Sequence, residues 1–172
     1  IRLSGGVVGS REFPQPLPSN VSDIKVNRKA DYLHFLHNVV ASTGTRIADG
    51  EPVGYYEITY VDGDKERLPI LYGQDVVHWM FNQFVVPREA AIGWSEGNYS
   101  AFKTLSQSCW ENPRPDVEIK TVTFGSANNQ PAPFLVALTV GSLETEETDD
   151  ALQLSSGAYR RAVFTKGQTS LT

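Results

Sequence analysis

Cysteine is almost absent from this 172-residue sequence, which contains Cys109 alone. A single cysteine cannot form an internal disulfide, so we expect hydrophobic burial to hold the fold together. Hydrophobic residues make up 40% of the chain, and a domain of this length buries roughly two-thirds of its unfolded surface. The sequence therefore predicts a domain that folds without a disulfide or a structural metal, with Cys109 as a small core residue beside Trp110.

Clustered positive charge and long apolar runs are also missing. The formal net charge is -5, and Arg160 with Arg161 makes only a basic pair. Nucleic-acid binding normally requires a positive stripe, so that function class is disfavoured. No apolar run approaches the about 20 residues of a membrane-spanning helix, so no membrane span is expected. Because the sequence starts at Ile1 without a signal segment, we expect a mature product or an excised fragment.

The sequence does contain β-forming runs separated by turn residues. Residues 53–61 are rich in Tyr, Val, Ile and Thr, and Asp62-Gly63 follows as a tight-turn signal of type I′ before a return strand over 64–72. In the first strand, even-numbered residues from Gly54 to Tyr60 are expected to share one side. Pro69 predicts that the return strand lies at an edge or bulges there.

Four further runs raise the expected number of strands to at least six. They cover 31–40, 102–110, 117–124 and 134–140. A helix over 31–40 also satisfies the spacing of its leucines, but apolar groups on both alternating sides favour a central strand. Short strands joined by Gly, Pro and Asn turns predict an all-β fold, an antiparallel β-sandwich or jelly roll.

Composition divides the chain into three segments. Residues 1–21 are rich in Gly and Pro and are expected to form an extended leader or edge segment. Residues 22–141 are the predicted sandwich domain. Residues 142–172 begin with an acidic run and are expected to form a linker or an additional edge strand, for which 159–164 are the candidate.

Metal binding finds little support. His34 and His37 lie three apart in a predicted strand, so their side chains face opposite sides and cannot bind one ion. Calcium takes about six to eight oxygen ligands. The turn with Asp62 and Asp64, even with Asp31, offers few of these, so no metal residue is predicted and calcium is kept only as an alternative.

Catalytic motifs are missing as well. There is no G-x-S-x-G elbow, no phosphate-binding loop and no dinucleotide-binding glycine pattern, so we predict no enzyme and no catalytic residue. Glycoside hydrolysis requires two carboxylates that face each other across a cleft. Glu57, Glu96, Glu111 and Asp116 are available, but nothing in the sequence pairs them, and a hydrolase is the least favoured interpretation.

Aromatic residues in or beside predicted loops are the main indication of a binding function. An aromatic ring can cover the C–H face of a sugar while neighbouring polar side chains bind its hydroxyls. Segment 73–100 is predicted as a short helix or loop carrying Trp79, then a turn-rich part. The predicted ligand-binding residues are Trp94, Tyr99, Trp110, Glu111, Asn112 and Arg114. The alternative for each tryptophan is burial, which is what we expect of Trp79.

Three blocks resemble a known family. They are IKVNRKADYLHFLHNVV (24–40), PVGYYEITYVDGDKERLPILYGQDVVHWM (52–80) and WENPRPDVEIKTVTFGS…APFLVALTV (110–140). They look like the galactose-binding-domain-like β-sandwich of secreted bacterial multidomain proteins, although segment 81–108 is expanded here. The resemblance implies a jelly-roll accessory module without catalytic activity, extracellular or periplasmic, that binds glycans through loops at one end.

The sequence therefore predicts a carbohydrate-binding or cell-surface adhesion module. Its expected partner is a glycan or polysaccharide, with neighbouring domains of a parent protein as further candidates, and no cofactor is expected. The alternative is a structural or protein-interaction domain of a larger secreted protein without a small-molecule ligand. An exposed apolar patch would support that alternative.

Overall fold

The computed structural model of the chain describes residues 1–5, 17–41, 46–81, 85–98 and 101–142. These residues form nine β-strands and no helix. The strands are β1 (Asn20–Arg28), β2 (Tyr32–Val40), β3 (Pro52–Tyr60), β4 (Lys65–Leu71), β5 (Met80–Phe81), β6 (Ala91–Asn98), β7 (Ala101–Glu111), β8 (Ile119–Ser126) and β9 (Ala132–Gly141). The candidate strand 159–164 and nearly all of the predicted acidic segment lie outside the described residues.

The described strands form two antiparallel sheets. One has the order β1-β8-β3-β4, and the other has the order β5-β7-β2-β9 with β6 also paired to β7. The chain changes sheet between β1 and β2, between β2 and β3, between β4 and β5, and again from β7 to β8 and from β8 to β9. This arrangement confirms the predicted all-β antiparallel sandwich, and β2 is a central strand as predicted.

The hairpin of β3 and β4 is confirmed, with a different turn from the predicted one. Gly63 has a φ of 95°, whereas Asp62 is not among the residues with positive φ. The Gly63 amide donates to the carbonyl of Tyr60 at 3.1 Å, and the Tyr60 amide donates to the carbonyl of Asp64 at 2.9 Å. The loop is therefore a type I turn closed by a glycine bulge, the usual form of a three-residue hairpin.

The core lies between the two sheets. Tyr56, Ile58 and Tyr60 share one side of β3, as predicted, and that side is buried, whereas the residues between them are half-buried on the outer face. Phe35 on β2 stacks on Tyr56 with ring centres 3.9 Å apart, and Phe124 on β8 stacks on the same ring at 5.2 Å. Aromatic contacts thus join the two sheets at their centre.

The position of β4 at the edge of its sheet agrees with the proline in its sequence. β4 carries Pro69 and is an edge strand among the described ones, as the proline predicted. Beside the edge strand β9, Arg2 bridges to Phe134, and Leu3 is fully buried in the core. β1 begins at Asn20, just before the predicted domain boundary at 22.

Segment 73–98 differs from its prediction. The helix considered for its first part is absent, and Gly73–Trp79 form a turn and loop before β5. The second part was expected to be turn-rich, but it forms β6, which pairs with β7. Trp79 is half-buried and meets the ring of Phe134 edge-on at 6.5 Å.

Candidate functional site

Asn112 was predicted to bind a sugar hydroxyl, but its side chain bonds within the protein. Its Oδ1 accepts from the Tyr60 hydroxyl at 2.6 Å and from the Arg114 amide at 2.9 Å. Its Nδ2 donates to the carbonyls of Ala30 at 2.8 Å and Arg114 at 3.1 Å. Both lone pairs and both hydrogens of the amide are therefore used, and the buried Asn112 holds the loop after β7 instead of facing a ligand.

Arg114 is also occupied by internal partners. Its guanidinium donates to Asp64 Oδ2 at 2.8 Å and to Asp62, and it lies 4.6 Å from the centre of the Tyr60 ring. The hydrogen bond from Arg114 lowers the pKa of the Asp62 carboxyl. Both acidic side chains of the hairpin turn are thus paired with a cation of the chain itself.

Trp110 was expected at the end of a strand and Glu111 in the loop that follows, but both residues belong to β7. Trp110 pairs with the buried Leu33 and packs against the core, and Glu111 pairs with Tyr32 and is exposed. Neighbouring residues in a strand point to opposite faces. The predicted group 110–114 is therefore divided between the core, the surface and the loop interior, and does not form one binding surface.

Trp94 lies in a strand and is nevertheless exposed, with 42% of its surface accessible. It pairs with Leu105, and Glu96 pairs with Lys103. These residues alternate with the buried Thr104 of β7, so they occupy the solvent face of the sheet. We name this surface the β6 face and define it by Met80, Trp94, Glu96, Lys103 and Leu105.

Met80 joins the β6 face through the strand on the other side of β7. It pairs with Lys103, which pairs in turn with Glu96, so the three side chains form one row across the sheet. Met80 is 42% exposed. The β6 face thus combines two exposed apolar side chains with a carboxylate and an ammonium group. Tyr99, the remaining predicted site residue, lies outside the described residues.

Gly93 shapes the strand beside Trp94. The pairing of β6 with β7 shifts between Ile92 and Trp94, which makes Gly93 the extra residue of a bulge. A Cβ atom at Gly93 would lie 2.6 Å from Leu36 Cδ1 and 3.1 Å from Gln107 Cβ. Glycine therefore allows these two side chains to pack directly against the backbone that carries Trp94.

Sequence reasoning missed a pocket of about 140 Å³ between the sheets. It is lined by Phe35, His37, Tyr56, Leu68, Pro69, Ile70, Asp75, Ser108, Cys109 and Trp110. The exposed Pro69 of edge strand β4 places the mouth of the pocket at that edge. The signal in the sequence was indirect, since Trp110 was predicted as a ligand contact but beside a loop and not between the sheets.

A chain of three polar side chains runs along the wall of this pocket. His37 Nδ1 hydrogen-bonds with the Tyr56 hydroxyl at 2.9 Å, and His37 Nε2 hydrogen-bonds with Ser108 Oγ at 2.8 Å. Burial lowers the pKa of His37 to about 3, so its ring is neutral near pH 7. Burial, together with the charge of Asp75, raises the pKa of Tyr56.

Asp75 is the acidic residue of the pocket. Burial raises the pKa of its carboxyl, against the opposing effect of the hydrogen bond from the Leu71 amide at 2.8 Å. No group of three or more His, Cys, Asp or Glu side chains within the described ranges is arranged to hold a metal ion. The lining of the pocket combines these hydrogen-bonding groups with apolar walls.

Comparison with known proteins gives no relative on which to base a function. No protein-family model matches the chain, and neither the curated proteins nor the solved structures contain a significant match. The galactose-binding-like resemblance therefore stays a prediction, whereas the sandwich itself is shown. Of the residues with described positions, none forms a helix of the length and apolarity that crossing a membrane requires.

Proposed function

We propose that the chain is a non-catalytic carbohydrate-binding or adhesion module, in which Trp94 on the β6 face stacks on a sugar ring. The observation that carries the proposal is the exposure of Trp94 on the solvent face of a sheet, beside Glu96 and Lys103. The flat indole can cover the C–H face of a sugar, and the two charged groups can bind its hydroxyls. Of the predicted ligand residues that the structure describes, Trp94 is the one that combines exposure with suitable neighbours.

The positions of Glu57 and Glu96 argue against hydrolysis by this pair of carboxylates. Glu57 lies on the outer face of the sheet that contains β3, where it accepts from Lys65 Nζ at 2.8 Å. Glu96 lies on the outer face of the other sheet. Because the two carboxylates lie on opposite outer surfaces of the sandwich, they cannot act together on one glycosidic bond.

The proposal is tested by a glycan-array screen of the purified domain with and without calcium, followed by calorimetry on any glycan that binds. Trp94→Ala is expected to weaken binding at least about tenfold, which corresponds to about 1.4 kcal/mol. Val136→Ala is the matched control, because Val136 is also exposed and apolar and lies on β9 of the same sheet. Silence across a broad array, or equal losses in the two variants, would contradict the proposal.

A second candidate is the protein-interaction domain, and the β6 face again provides the specific observation. Met80 and Trp94 are large exposed apolar residues on one face, and β6 pairs on one side only among the described strands. An unpaired strand edge beside apolar side chains can accept a strand from another protein. Such binding would require the backbone of β6 and would tolerate the loss of the indole better than sugar stacking does.

A further inference from the structure

The hydrogen-bonded side chains of Ser108, His37 and Tyr56 carry one more polar hydrogen than they have hydrogen bonds with one another. Two hydroxyls and one neutral imidazole supply three N–H or O–H hydrogens, and the chain contains two hydrogen bonds. If Tyr56 donates to Nδ1, the Nε2 hydrogen goes to Ser108 and the serine hydroxyl hydrogen remains. If instead the Nδ1 hydrogen goes to Tyr56, Ser108 donates to Nε2 and the tyrosine hydroxyl hydrogen remains.

Both tautomers therefore leave one hydroxyl donor on the pocket wall. Ser108 and Tyr56 both line the pocket, and within the described residues neither hydroxyl makes a second hydrogen bond. In a partly desolvated site, a hydroxyl donor without a hydrogen bond costs free energy. A ligand oxygen that accepts its hydrogen therefore binds more favourably than an apolar group in the same place. The pocket thus requires an acceptor atom from its ligand.

The rest of the lining sets the size and polarity of that ligand. Phe35, Leu68, Ile70 and Trp110 provide apolar walls around about 140 Å³. An engineered cavity of about 150 Å³ in another protein binds benzene, so one six-membered ring fits and a disaccharide does not. Asp75 can accept a hydrogen from the ligand, and its negative charge disfavours an anion.

We propose that this inter-sheet pocket binds a small neutral aromatic alcohol of the phenol class. The ring packs among the apolar side chains, the phenol oxygen accepts from the remaining hydroxyl of the Ser108–His37–Tyr56 chain, and the phenol hydrogen is directed to Asp75. The site is separate from the β6 face, because Ser108 and Trp110 point inward from β7 whereas Lys103 and Leu105 point outward. The proposal therefore does not depend on the carbohydrate-binding function.

The test titrates the whole chain with phenol, benzene and benzoate, with backbone amide NMR signals as the readout. Phenol is expected to bind saturably and to shift signals of Leu68–Ile70 and Ser108–Trp110. Benzene is expected to bind more than about tenfold more weakly, since it lacks both hydrogen bonds that phenol makes in the pocket, and benzoate is expected not to bind. Equal binding of benzene would overturn the assignment of the phenol class.

Leu68→Trp fills the pocket from β4 and is expected to abolish phenol binding. Arg67→Trp is the matched control, because the neighbouring residue of the same strand points to the outer face, and it is expected to bind phenol like the unmodified chain. If Leu68→Trp does not fold, the wild-type titration decides on its own. No saturation up to the solubility limit of phenol, or shifts confined to the β6 face and lost in Trp94→Ala, would overturn the pocket proposal.

Discussion

His37 should make the stability of the domain depend on pH through a single buried imidazole. Burial lowers the pKa of His37 from 6.5 to about 3 in the folded protein. The unfolded chain exposes the same side chain and takes up a proton as the pH falls through about 6.5. A group that binds its proton only in the unfolded state destabilises the folded state, so stability is lost as the pH falls below 6.5 and the loss continues to about 3.

The magnitude follows from the two titration curves. Between pH 7.5 and pH 5 the folded imidazole stays neutral and the unfolded one becomes almost fully charged. The linkage relation then gives a loss of about 2 kcal/mol in the free energy of unfolding, with a limiting slope of about 1.4 kcal/mol per pH unit. Asp75 acts in the opposite direction, because burial raises its folded pKa and stability increases as the pH falls through that value.

The assay is urea unfolding at several pH values between 7.5 and 5, for the unmodified chain and for His37→Gln. The difference between the two proteins cancels the contributions of Asp75 and of the other histidines. It should shrink by about 2 kcal/mol over this interval. Ser108→Ala is the control, since it removes a bond to the ring and keeps the histidine. Parallel pH profiles for the unmodified chain and His37→Gln would refute the assignment of a neutral, desolvated His37.

Two further substitutions test the loop and the hairpin. Asn112→Ala leaves the buried Tyr60 hydroxyl and the Ala30 carbonyl without this partner and should lower the free energy of unfolding, measured in urea, by about 2–4 kcal/mol. Asn20→Ala, the control at an exposed asparagine, should lower it by less than about 0.5 kcal/mol. Similar losses of stability in the two variants would show that Asn112 is not structural. Gly63→Ala should cost about 1–2 kcal/mol because φ is 95° there, and no clash adds to this backbone strain since no atom lies within 4 Å of an added Cβ. Gly63→Asn should cost less. An unchanged unfolding midpoint for Gly63→Ala would contradict the bulge geometry.

The strands that could be predicted from the sequence are those whose side chains alternate with burial. β3 shows this pattern clearly, and β4 follows it through a recognisable turn. β1 was missed because most of its side chains are exposed and its register shifts twice, with positive φ at Asp23 and Asn27. β6 was missed because the segment after Trp79 was predicted to be turn-rich, whereas Gly93 forms a bulge within a strand.

The predicted ligand-binding residues 110–114 are separated in the structure because the strand ends one residue later than predicted. The prediction ended the strand at Trp110 and counted that residue with the loop, but β7 continues to Glu111. Once Trp110 belongs to the strand, the register that pairs it with Leu33 directs its side chain inward. The pocket could not be predicted, because His37, Tyr56 and Ser108 come from three strands whose mutual register is set by tertiary packing.

β7 is the element that allows the two proposals to be tested separately. Its alternation sends Ser108 and Trp110 toward the pocket and sends Lys103 and Leu105 toward the β6 face. Substitutions on opposite faces that share no partner usually have additive effects. Trp94→Ala and Leu68→Trp should therefore each remove one kind of binding and leave the other intact. If either variant abolished both, the two surfaces would have to be coupled through β7, and a single site spanning the strand would replace the two proposed here.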